Sequence, residues 1–282
     1  MSDQSKIPEE EKELFQHLKV DYKRSKDDVW AEMEKNIDAS PSVQEETPVV
    51  RINWLRYAAV GIVLIAAGTL SFMRFYAVEV LTNKGEFLSH TLPDGSDVHL
   101  NANSSISYHP YWWTFNRELE MEGEAFFEVE KGEKFQVLSQ NGKTEVLGTS
   151  FNIYARKDIY LVYCSTGKVR VTNKAGNATV ITPGEMANAN QNVVSKEEIA
   201  AEKAIPWRSN KFNYNNVKMS QVINDLENHY NITIERKENE IDELLFTGFF
   251  DRPENPEDAL QVICSVFELS FEKTDTFTYS IH

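Results

Sequence analysis

One stretch of this chain limits its possible folds more than any other. Residues Tyr57–Met73 read YAAVGIVLIAAGTLSFM, seventeen positions with no charged side chain and no polar face. A helix packed on a soluble core keeps one polar side, so a helix that is apolar all round belongs in lipid. Trp54 and Tyr57 stand at one end and Phe75 and Tyr76 at the other, where aromatic belts meet the two bilayer surfaces. Arg56 and Arg74, close to the ends, can reach the headgroups. From Trp54 to Phe75 a helix rises about 33 Å, which matches a hydrocarbon core of about 30 Å. The expectation is one membrane-spanning helix within 51–76. A buried core helix is the alternative, and the missing polar face argues against it.

The rest of the chain must then divide between two compartments. Residues Met1–Glu11 are polar and acidic, with no apolar core and no small-residue cleavage site, so they do not read as a secretory signal. Basic residues near the span are balanced, Arg51 and Arg56 before it and Arg74 and Lys84 after it, so the positive-inside rule leaves the orientation open. An internal span without an earlier signal usually acts as a signal anchor, which places the N-terminus in the cytoplasm. The chain's 282 residues suffice for two compact domains besides. A net charge of −15 argues against nucleic acid as a direct partner, because phosphate contacts need clustered Lys and Arg.

The tail 1–50 reads as two short amphipathic helices and a linker. Leu14, Phe15 and Leu18 share one face within a run of Glu and Lys. A second helix begins at Ser25, a capping residue, with Asp28 three positions on. Trp30, Met33 and Ile37 follow at i, i+3 and i+7. From Ala39 to Pro48 there is no apolar pattern. So short a segment cannot bury much surface alone, and its apolar stripe suits a groove on a partner protein. A helical hairpin without a partner is the plainer alternative.

Beyond the span, 78–205 alternates with period two, as in Val98-His99-Leu100-Asn101, Glu118-Leu119-Glu120-Met121 and Lys168-Val169-Arg170-Val171. Turn signals recur at Pro93-Asp94-Gly95-Ser96, Asn141-Gly142, Thr166-Gly167 and Pro183-Gly184. The expected fold is all-β, a sandwich or an irregular stacked roll. Gly123 and Gly148 sit where a bulge or close backbone approach is expected. From Trp207 the pattern changes to strand, helix, strand, twice. A shift of 37 residues pairs Phe212 with Phe249, Ile223 with Leu260, Leu226 with Ile263, Tyr230 with Phe267, Ile232 with Leu269 and Ile234 with Phe271. Two βαβ-like units of one small α+β domain are expected over 207–282. Asn255 and Pro256 start the second helix. The whole is thus a membrane-anchored, mainly β chain.

Five stretches, in order, resemble the FecR family of anti-sigma regulators. They are Leu92–Asn101, Arg117–Val129, Val146–Ile153, Gly167-Lys168-Val169 and Pro183-Gly184-Glu185. The last domain resembles the secretin and TonB short N-terminal domain that closes many such proteins. The resemblance implies a transmembrane anti-sigma factor in the inner membrane. Its cytoplasmic tail would bind an extracytoplasmic-function sigma factor through Leu14, Phe15, Leu18, Trp30, Met33 and Ile37. Its periplasmic part would receive a signal from the signalling domain of an outer-membrane TonB-dependent receptor, and site proteases would release the tail. An envelope protein that only displays a β domain is the competing reading, and it gives Trp30 no role.

No catalytic constellation stands out. Gly-x-Ser-x-Gly, Walker and G-x-G-x-x-G patterns are absent, and the six histidines lack ligand spacing. No cofactor or metal is expected, and a periplasmic hydrolase would lack a nucleophile–base pair. Cys164 and Cys264 could pair in an oxidising compartment, but two thiols packed as small hydrophobes is the simpler reading. Some relatives in the family cleave themselves at a Gly–Thr bond in the third motif, which corresponds here to Gly148–Thr149. A plain turn with Thr149 bonded locally is the alternative there.

Overall fold

In a computed structural model, the chain is described over residues 23–38, 54–189 and 192–282. Leu14, Phe15 and Leu18 lie outside the described residues. Helix α1 (Lys26–Asp38) starts as its sequence requires. The Ser25 hydroxyl accepts the Asp28 N–H at 3.2 Å and the Asp28 carboxylate accepts the Ser25 N–H at 3.3 Å, a reciprocal cap. None of its residues is buried.

Helix α2 (Trp54–Phe75) has 22 residues and also buries none of them. It is long and apolar enough to cross a membrane. Only Tyr76 and Ala77 separate it from strand β1 (Val78–Thr82), the first of a thirteen-stranded array. The strands that follow are β2 (Leu88–Thr91), β3 (Asp97–Leu100), β4 (Ser104–Tyr108), β5 (Arg117–Glu128), β6 (Phe135–Ser139), β7 (Gly142–Val146), β8 (Ser150–Arg156), β9 (Ile159–Cys164), β10 (Val169–Asn173), β11 (Ala178–Ile181), β12 (Glu185–Ala189) and β13 (Val194–Glu198).

These form two layers that share β5. One layer runs β11-β10-β7-β6-β5-β4-β1, the other β2-β3-β5-β8-β9-β12-β13. The first half of β5 pairs with β4 and β6, and the second half with β3 and β8. Gly123 marks the change of partners at φ +99°, and a Cβ there would lie 2.6 Å from the Ser104 Cα. Only glycine allows both. Leu119, Met121, Ala125 and Phe127 of β5 enter one core with Phe135, Phe151, Ile153, Tyr160 and Val169.

The Leu92–Ser96 turn between β2 and β3 has Gly95 at φ +86°, as its Asp-Gly pair predicts. The Asp94 carboxylate accepts the Ser96 N–H at 3.1 Å and pairs with the Arg117 guanidinium, which also donates to the carbonyls of Glu130 and Glu133. Arg117 thus ties this turn to the start of β5 and the loop that follows its far end.

The last domain begins after the helical turn α3 (Ala201–Ala204). It holds β14 (Lys211–Lys218), α4 (Met219–Tyr230), β15 (Thr233–Arg236), β16 (Leu245–Asp251), α5 (Pro256–Ser265), β17 (Phe271–Asp275) and β18 (Thr278–Ile281). The repeat is real. The first strands of the two units, β14 and β16, pair antiparallel, and the last strands, β15 and β17, flank β18. Ile223, Leu226, Leu260 and Ile263 of the two helices share one core. One match of the repeat fails. Phe249 is exposed, while Phe250 sits opposite Phe212 with ring centroids 5.4 Å apart. A shift of one residue on a strand exchanges its faces. Asn255 holds the position before α5, but its side chain makes no capping bond. Cys164 and Cys264 are free and buried, and burial pushes both thiols up to about 11.

The Asp94–Arg117 pair is almost enclosed, its side chains 15% and 11% exposed. Burial by itself raises the Asp94 pKa, but the hydrogen bonds from Ser96 and Arg117 outweigh it and hold the carboxyl below its usual 3.8. Asp94→Asn should therefore lower unfolding stability by about 2 kcal/mol near neutral pH. A depressed carboxyl stabilises above its unfolded pKa, and that contribution disappears as pH falls through the lower folded value. Denaturation of wild type and variant should accordingly converge below about pH 4.

Candidate functional site

The second half of β5 and most of β8 are buried on both faces. Odd-numbered residues Phe151, Ile153 and Ala155 point into the main core. Even-numbered residues Asn152 and Arg156 are also buried, as are Glu124 and Phe126 on β5, because the last domain covers that side. Between the two domains lies a cleft of about 680 Å³ whose walls include Glu124, Arg156, Trp207, Tyr214, Asp225 and Arg252.

Its groups are held firmly. Glu124 accepts from Asn101 Nδ2 at 2.6 Å and from Asn152 Nδ2 at 3.0 Å. Asn152 Oδ1 in turn accepts from Trp207 Nε1 at 3.2 Å. Arg156 donates to the carbonyls of Asn103 at 2.8 Å and Ala102 at 2.6 Å. From α4, Asn228 accepts the Gly85 N–H on its carbonyl at 2.7 Å and Asn103 Nδ2 on Oδ1 at 2.9 Å. Asp225 accepts the Tyr154 hydroxyl at 3.1 Å. The stretch that follows α3 contributes Arg208, whose guanidinium carbon lies 4.0 Å from the Phe126 ring centroid, and Ile205, packed with Phe126 and Tyr163. The joint is thus a polar network with an apolar flank.

The electrostatics follow from enclosure. Desolvation, opposed by Arg156 and assisted by Glu124, pushes the Asp225 carboxyl up to about 7. Desolvation and then Asp225 push the Tyr214 and Tyr154 hydroxyls upward. Desolvation and Arg252 push His229 down to about 4, so it is neutral at physiological pH. Among the described residues, no three His, Cys, Asp or Glu side chains converge as metal ligands would. The site can hold or release a proton and lock two domains.

The other candidate positions are placed as follows. Trp30, Met33 and Ile37 lie on α1 and are 61%, 54% and 72% exposed. Val29, one helical turn before Met33, extends the same stripe and was legible in the i, i+4 spacing. At the Gly148–Thr149 bond, Gly148 has φ +147° and a Cβ there would lie 2.7 Å from the Lys131 Cα. Thr149 is buried, and its hydroxyl has no hydrogen-bond partner among the described residues.

The joint carries its own test. A carboxyl whose folded pKa is raised weakens the folded state progressively as pH climbs from its unfolded value of 3.8 to about 7, and by a constant amount above that. Asp225→Asn keeps the Tyr154 contact and removes the ionisation. Its melting temperature should exceed that of wild type by several degrees at about pH 8, with the gap closing towards about pH 4. A gap that does not change with pH would show that Asp225 does not titrate in this interval.

Residues 78–170 match the family described as FecR protein, and residues 211–279 match the one described as FecR, C-terminal. No curated protein matches the chain. Two crystal structures, both described as a candidate anti-sigma factor from Parabacteroides distasonis, are similar to it. One is 30% identical with a TM-score of 0.67 and the match covers 73% of this chain and 99% of that one. The other is 31% identical with a TM-score of 0.66, covering 73% and 98%. With two FecR models matched in order, and a structure of that identity spanned over nearly its whole length, the chain belongs to the FecR family of anti-sigma factors.

Proposed function

We propose that this anti-sigma factor is a single-pass inner-membrane relay with its N-terminus in the cytoplasm and its β-rich part in the periplasm. The supporting observation is the exposed apolar stripe of α1, on the opposite side of α2 in the chain from the folded β unit. A helix with no buried residue and with Trp30, Met33 and Ile37 on one face suits a groove on a partner. The partner in this reading is an extracytoplasmic-function sigma factor. Residues 1–50 act as the binding tail, 51–76 as the span, and 78–205 and 207–282 as the two periplasmic domains. A signalling domain of an outer-membrane TonB-dependent receptor docks on the last domain. There β17 is an edge strand of its sheet, able to accept another strand. Site proteases then free the tail, because one rigid helix transmits little by itself.

The test uses the full chain in detergent. Wild type should retain the sigma factor, and Trp30→Ala should weaken retention about tenfold or more, as removal of a central aromatic anchor does. Equal retention by both, or retention by neither, would contradict the reading.

A second reading concerns Gly148–Thr149 and is favoured by the buried, unpartnered Thr149 hydroxyl. In it the Thr149 Oγ1 attacks the Gly148 carbonyl carbon, the C–N bond breaks, and the hydroxyl proton passes to the freed amine. Water then hydrolyses the ester, leaving a Gly148 carboxylate and a Thr149 with a free amine. Wild type should run on a denaturing gel as two pieces of nearly equal length, and Thr149→Ala as one. A single full-length wild-type band would refute it.

A further inference from the structure

We propose that the loop His109–Asn116, between β4 and β5, is a membrane-seated foot. In this arrangement Tyr111, Trp112 and Phe115 enter the lipid interface beside the end of α2 and set the angle of the β-rich unit on the bilayer. The inference rests on α2 spanning a membrane, and it adds a second contact with lipid.

The loop reads HPYWWTFN, with four aromatic rings and no Lys, Arg, Asp or Glu, in a chain that carries 44 acidic residues. Its rings divide into two roles. Trp113 turns inward, 3% exposed, edge-on to Tyr108 and Phe135 with centroids 5.4 and 5.7 Å away. That ring fastens the loop to the core. The others turn outward. Tyr111 is 49% exposed and Phe115 73%, and Trp112 is half-buried against Phe115, with centroids 4.9 Å apart. Backbone bonds from Trp112 N to the His109 carbonyl and from Phe115 N to the Trp112 carbonyl hold the loop in tight turns. An ordered, uncharged aromatic surface left in water is unfavourable, and such surfaces mark contacts with lipid or protein.

The placement selects lipid. Register fixes the loop beside the helix end, since Val78, the first residue of β1, pairs with Tyr108, the last of β4. His109 Nδ1 then bonds the Tyr76 carbonyl at 3.0 Å. The Tyr111 ring meets two rings of the helix end, Phe72 at 5.9 Å and Tyr76 at 5.5 Å. The Arg74 guanidinium lies 5.6 Å from the Trp112 ring and 5.7 Å from Phe75. The loop therefore continues the aromatic belt of the helix. Phe72 precedes the helix end by about 4.5 Å of rise. A span of about 33 Å across about 30 Å of hydrocarbon puts that level at the boundary with the headgroups. Trp and Tyr are enriched at this depth, and an Arg there reaches the headgroups.

A nitroxide label tests this on the full chain in phosphatidylcholine–phosphatidylglycerol vesicles. Cys164 and Cys264 are buried, so a single introduced cysteine takes the label. Thr114→Cys, at an exposed position, leaves every ring in place. Leu64→Cys, in the middle of α2, reports on the span itself. The Thr114 label should collide with oxygen more readily than with an aqueous nickel chelate, as a lipid-seated label does. Adding Tyr111→Ser and Phe115→Ser should raise its nickel accessibility several-fold. A Leu64 label in lipid with a Thr114 label freely open to nickel would overturn the foot alone, as would indifference to loss of the two rings. A Leu64 label in water would overturn the span, and the foot with it.

Discussion

A helix with no polar face cannot remain in water, and the rest of this chain is arranged around that requirement. Helix α2 buries none of its 22 residues within the protein. Each Val, Leu, Ile, Phe or Met among them would forgo about 1.5–3 kcal/mol of transfer free energy if left in water. Lipid satisfies the whole length at once. The chain on either side must then work as separate bodies, and the two are built differently. One is a short capped helix with an exposed apolar stripe. The other is a β-rich unit with its own core and a second domain fastened to it.

Strand β5 joins the two layers of that unit. It belongs to both layers, changes partners at Gly123, and offers one face to the core and the other to the joint. The joint is polar where the core is apolar. Glu124, Arg156 and Asp225 are held by amides, carbonyls and a tyrosine instead of by one another. Polar networks of this kind specify one arrangement of two surfaces but add little net stability, because desolvation offsets much of the attraction. Such a contact suits domains that must stay registered and still be able to part. Only Tyr76 and Ala77 lie between α2 and β1, so a force on the unit reaches the helix end with little slack.

Much of this was legible in the sequence, and the reasons are local. Asp94-Gly95 demanded a tight turn, Ser25 and Asp28 a cap, and Gly123 and Gly148 close backbone approach, each of which depends on a few neighbours only. The 37-residue repeat exposed the plan of the last domain through apolar spacing. The match fails at Phe249 because β14 carries a register shift between Tyr214 and Val217 that a fixed offset cannot follow. The joint was hidden for a different reason. Asn152, Tyr154 and Arg156 alternate with apolar residues, which is the pattern of a strand facing solvent. The docking of Trp207 and of α4, more than fifty residues later, turns that polar face into an interior. Likewise HPYWWTFN is an unremarkable aromatic loop until register sets it against Phe72 and Tyr76.

The central claim is that the two ends of the chain lie on opposite sides of one bilayer. Trp30→Cys on α1 and Phe277→Cys in the last domain are both at exposed positions, and the native thiols are buried. Spheroplasts treated with a membrane-impermeant maleimide should modify the Phe277 site and leave the Trp30 site untouched until the membrane is opened by detergent. Modification of both sites in sealed spheroplasts, or of neither, would place the two ends in the same compartment and contradict the account.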